Sequence, residues 1–92
     1  MKYHGGSRFG LSEKEQSLIY WSCQNLERLS PRKKEALEKI IEECADGEED
    51  ALREALCTGK SLTEIAIRRF TSESALQRRC EKFYQKAKRV VL

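Results

Sequence analysis

The sequence predicts an all-α fold, one domain of five helices ending in a helix-turn-helix, and three observations lead there. Of the 92 residues 36% are charged and 39% apolar, drawn largely from Leu, Ala, Glu, Lys and Arg, which are strong helix formers. One Pro and 5 Gly leave few breaks, and three of those Gly (Gly5, Gly6 and Gly10) fall in the first ten residues. From Leu18 onward apolar residues recur three and four apart, the period of a helix buried along one side. A chain this short holds one modest core, which buries somewhat over ~60% of the unfolded surface.

Residues 1–10 show no periodicity and are expected to form a flexible tail, with the helical domain over residues 11–92. Ser12 followed by Glu15 is a capping box, so a first helix is expected from Glu13 to about Leu29. Its broad apolar face holds Leu18, Ile19, Cys23 and Leu26, and Tyr20 and Trp21 are expected at the edges of that face, buried as part of the core rather than exposed as an interaction site. Ser30 can cap and Pro31 suits a first helical position, so a second helix runs to about Ala45 on the stripe Leu37, Ile40, Ile41 and Cys44. Asp46-Gly47 ends it.

A short third helix, Glu48 to about Cys57, carries Ala51, Leu52, Ala55 and Leu56, with acids in its first turn where the helix dipole favours them. The acids from Glu42 to Glu54 are expected to form a solvated corner between helices. Thr58-Gly59 closes this helix, and Ser61 with Glu64 reads as a second capping box for a fourth, Leu62 to Arg69. After a break of about three residues, Ser72 caps a fifth helix from Glu73 to about Val90. Its stripe is Leu76, Cys80, Phe83, Ala87 and then Val90 or Val91.

Cys23, Cys44, Cys57 and Cys80 lie too far apart in sequence for a C-x-x-C pair, and the lone His4 stands in the tail, so zinc and other metals are excluded. Each cysteine falls on or beside an apolar face, where a thiol behaves as a small hydrophobe. No cofactor is expected. No run approaches the roughly 18 apolar residues of a membrane span, and the start lacks the apolar region of a secretory signal. The expectation is a cytoplasmic protein. Without an ordered nucleophile set or a Gly-rich phosphate loop, it is also not expected to be an enzyme.

The run LTEIAIRRFTSESALQRRCEKFYQKA carries more. It resembles the helix-turn-helix of sigma-factor region four and of LuxR (GerE)-type regulators over about residues 61–87, through Glu64, Ile65, Ala66, Ser72, Glu73, Leu76, Phe83 and Tyr84. Arg69 and Thr71 depart from the apolar residues usual around that turn. Phe70 stands where Gly is frequent, because the backbone there adopts positive φ. LSEKEQSLIY also looks like the opening of a LuxR-type domain, but about 40 residues separate it from the E-I-A helix, so the upstream helices are additional.

What the resemblance implies is a small DNA-binding transcription regulator of bacterial or phage and mobile-element type, with the last helix as recognition helix. Ser74, Gln77, Arg78 and Glu81 are then expected at base edges, and Arg68, Arg69, Arg79, Lys82, Lys86 and Arg89 at phosphates. Charge agrees, since residues 60–92 hold nine Lys or Arg against three acids, net +6, and residues 1–59 nine against twelve, net −3. Double-stranded DNA is the expected partner. The sigma likeness adds RNA polymerase, and the apolar end Val90-Val91-Leu92 adds a homodimer. The alternative is a helical protein-interaction module, an adaptor or anti-activator that does not read DNA.

Overall fold

A computed structural model describes residues 11–91. Ser12 opens the first helix, α1 (Glu13–Gln24), with a complete capping box: its Oγ accepts from the Glu15 N–H, and Glu15 accepts from the Ser12 N–H at 2.9 Å. The helix stops sooner than its apolar residues suggest. Asn25 sends both its backbone N–H and its side-chain amide to the Trp21 carbonyl, at 3.0 and 2.9 Å, which satisfies the helix end locally. A 3₁₀ turn, Leu26–Arg28, then tucks Leu26 into the core.

The buried side of α1 is Gln16, Ile19 and Cys23, at spacings of three and four. Leu18 and Trp21 lie off that stripe and are 40% and 55% exposed, so the expected broad face and the expected burial of Trp21 are both corrected. Trp21 instead meets Tyr20 edge to face at 5.1 Å.

Ser30 caps α2 (Pro31–Ala45), with Pro31 in the first turn. The helix ends on Asp46, which takes the left-handed conformation at φ 49° that Asp tolerates better than most residues. α3 (Glu49–Cys57) buries Ala51, Leu52, Ala55 and Leu56. Gln24 donates to the Leu56 carbonyl at 3.2 Å, fastening the end of α1 to that of α3. Ser61 caps α4 (Leu62–Arg69) by accepting from the Glu64 N–H at 3.2 Å. No return bond from Glu64 is made among the described residues, so this cap is half of the expected box.

α5 (Glu73–Val91) is the axis of the core. It packs against all four other helices, most extensively α2, and sinks Leu76, Cys80, Phe83, Tyr84 and Ala87. Val90 and Val91 are half-buried against the same core; Leu92, the third residue of the apolar end that suggested a dimer, lies outside the described residues. Cys23, Cys44 and Cys80 are buried and Cys57 is half-buried, as small hydrophobes should be. Burial pushes the Cys23 thiol well above its ordinary range. Among the described residues, no helix is long and apolar enough to cross a membrane.

Between α4 and α5 the chain turns at Phe70, with φ 55° and ψ 43°, while its ring stands 96% exposed. The Thr71 N–H reaches back to the Ala66 carbonyl at 3.0 Å. A Cβ in the left-handed region costs about 1–2 kcal/mol, and Gly gives back roughly 0.5–1 kcal/mol in unfolded-state entropy. Phe70→Gly is therefore expected to stabilise the domain by about 0.5–1 kcal/mol. A urea midpoint that stays put or falls would show that the ring has contacts to lose.

Candidate nucleic-acid interface

α4, the three-residue break 70–72 and α5 form a continuous unit at the C-terminal end. Ile65 and Ala66 from α4 are buried in the core they share with Leu76 of α5. At the mouth of α5 the Ser72 Oγ accepts from the Ala75 N–H, and Thr63 of α4 donates to Glu73 at 2.9 Å.

The outward face of α5 lies between two ion pairs. Lys88 meets Glu15 of α1 at 3.0 Å on one flank, and Lys86 meets Glu43 of α2 at 3.5 Å on the other. Ser74, Gln77 and Arg78 are exposed on this face and Glu81 is half-buried. Lys82 and Arg89 are exposed there too. Neither they nor Arg78 take part in an ion pair among the described residues. The residues expected at base edges thus share one surface with three of the six expected at phosphates, Lys82, Lys86 and Arg89.

The other three are engaged by α3 and its approach. Arg79 keeps only 18% of its side chain exposed, giving one guanidinium nitrogen to Glu48 Oε2 at 2.5 Å and the other to Asp46 at 3.8 Å. Thr71 of the turn donates to the same Glu48 oxygen at 2.6 Å. Arg68 hydrogen-bonds Glu54 Oε2, Arg69 lies 3.6 Å from Glu54 Oε1 and 3.9 Å from Asp50, and Lys60 approaches Glu54 at 3.7 Å. Glu54 itself is only 12% exposed.

So Asp46, Glu48, Asp50 and Glu54 are more than a solvated corner. They receive basic side chains of α4 and α5. Sequence reading missed these contacts because, Lys60 apart, the partners lie 14 to 33 residues away. The acid-rich run facing an arginine-rich run was the signal that could have suggested them.

Two hydrogen bonds, from Thr71 first and then Arg79, hold the Glu48 carboxyl below its ordinary value of 4.5. A lowered folded-state pKa means that ionised Glu48 contributes stability above about pH 4.5, which is lost as pH falls through the folded value. The melting-temperature gap between the wild type and Glu48→Gln should therefore be full at neutral pH and close in acid. A gap that does not narrow as pH falls below 4.5 would remove Glu48 as a contributor.

Two large apolar side chains stand out at the end of α4. Ile67, in the last turn, is 72% exposed, and Phe70, the left-handed residue that follows the helix, is 96% exposed.

Comparison with protein-family models, curated sequences and solved structures finds no match to this chain.

Proposed function

We propose that the chain is a small DNA-binding regulator of bacterial or phage type, with α4 and α5 as a helix-turn-helix and α5 as the recognition helix. The observation that carries this reading is the outward face of α5. Its Arg78, Lys82 and Arg89 have no ionic partner among the described residues, whereas Arg68, Arg69 and Arg79 are matched to acids. Arg79 and Thr71 brace the turn from behind, so the outward residues of α5 are carried on a fixed support.

The exposed pairs of Lys86 and of the two α4 arginines are worth little in water, and phosphates compete for such cations. Binding to random-sequence duplex DNA should weaken linearly in log–log form as salt rises, with a slope of about −3 if three phosphates are neutralised. Titration across a salt series measures this. A flat response, or no binding at low salt, would remove the reading.

A second reading has one specific observation behind it, the exposure of Ile67 and Phe70 at the end of α4. Apolar side chains placed in water at a strained turn suit a protein partner, of which RNA polymerase is the one the sigma likeness suggests. Phe70→Gly separates the two. It should leave DNA binding intact in the first reading and abolish polymerase capture in the second.

A further inference from the structure

We infer that α2 supplies a second wall of the nucleic-acid surface, with Arg32 and Lys39 meeting phosphates beside those met by α5. This rests on the reading of α5 as the DNA-facing helix. The cleft of about 440 Å³ between the two helices is lined by Glu43 and Asp46 from the last turns of α2, and by Ala75, Arg78 and Lys82 from the first half of α5. Lys86, further along α5, pairs back to Glu43. The two helices therefore run antiparallel, and the start of α2 lies toward the end of α5 that bears Arg89.

Helical spacing then decides which α2 side chains border α5. Glu43 marks the edge that touches α5. Lys39 is four residues earlier and Arg32 eleven, so both return to within about 40° of Glu43 on the helix. Glu35 and Glu42 sit roughly a quarter turn from Glu43 and about 40° and 60° from Lys39, on the side away from α5. Both cations are exposed and neither takes part in an ion pair among the described residues. On α5, Arg78, Lys82 and Arg89 occupy the half of the outward face nearer α2, on the Lys86 side rather than the Lys88 side.

The result is a row of cations on α5, continued at its Arg89 end by Lys39 and Arg32 of α2, beyond the acids Glu43 and Asp46. The α5 row runs eleven residues, about 16 Å, and a DNA strand passes one phosphate for roughly every 3.4 Å of axis, so several phosphates fall within its reach. Arg32 also stands in the first turn of α2 with Lys33 and Lys34 and no acid, where the helix dipole disfavours cations. Helix stability gives no reason for that placement, whereas an anionic partner does.

The test compares two double variants of equal charge change, Arg32→Ala/Lys39→Ala and Lys14→Ala/Arg28→Ala. The second pair lies on α1 and the following 3₁₀ turn, and all four residues are exposed, so melting temperatures should stay near wild type. With random-sequence duplex DNA, the α2 variant should flatten the salt slope by about 2, one for each lost phosphate contact, while the other leaves it unchanged. Equal flattening by both would reduce the effect to net charge and overturn the inference. Unchanged binding by the α2 variant, beside weakened binding by Arg89→Ala, would overturn it while the reading of α5 stands. Failure of the wild type to bind would remove both.

Discussion

Replacing Phe83 by Ala is expected to cost about 3–5 kcal/mol, the range for deleting a buried phenyl ring and leaving its cavity. Phe83 is 0% exposed, sits midway along the helix that touches every other helix, and meets Tyr84 at 6.2 Å between ring centres. A domain of this size has a total stability of about 5–15 kcal/mol, so the loss is a large part of the whole. Thermal melting should fall by at least about 12 °C, at roughly 4–8 °C per kcal/mol for a domain of this length. Phe83→Leu keeps much of the apolar volume and should lose less. If Ala at this position lowered stability by less than about 1 kcal/mol, the ring would not be core and the stripe read along α5 would be wrong.

That stripe was legible because everything it needs is local. Leu76, Cys80, Phe83 and Ala87 return to one side of a helix at spacings of four and three, and all four are buried. Helix starts were equally plain where a side chain caps its own backbone, as Ser12, Ser30 and Ser61 do. The end of α1 was not, because Leu26 and Leu29 continue the apolar pattern while Asn25 stops the helix by capping it with its own amide. Trp21 was misjudged since hydrophobicity says nothing of which side of the helix is covered.

Less of the candidate site could be read. Positive φ at Phe70 was not legible in the residue itself, because an aromatic residue with a Cβ disfavours the left-handed region that the structure has there. Nor was the burial of Arg79 behind Glu48, because the choice between an outward and an inward arginine is made by an acid 31 residues away. Arg78 and Arg79 are adjacent and chemically identical, yet one faces outward and the other braces the turn. A helical step of about 100° between neighbours is enough to give them opposite duties.

That contrast sets the largest effect expected on recognition. Arg78→Ala should cost about 1–3 kcal/mol on a selected duplex and little on a scrambled one, because a guanidinium pairing with a guanine edge discriminates between bases. Arg89 is the proper comparison: it is exposed, has no ionic partner among the described residues, and stands three turns further along the same face. At that distance α5 is leaving the groove, so Arg89→Ala should weaken both duplexes alike and flatten the salt slope by about 1. Lys86 serves less well, since removing it also frees Glu43 to repel phosphate. Both variants are exposed, and neither should move the melting temperature by more than the equivalent of about 0.5 kcal/mol. The measurement is binding of selected and scrambled duplexes by both proteins across a salt series. Equal weakening of the two duplexes by Arg78→Ala would leave α5 as a phosphate-binding surface without base reading, and the recognition role would have to be given up.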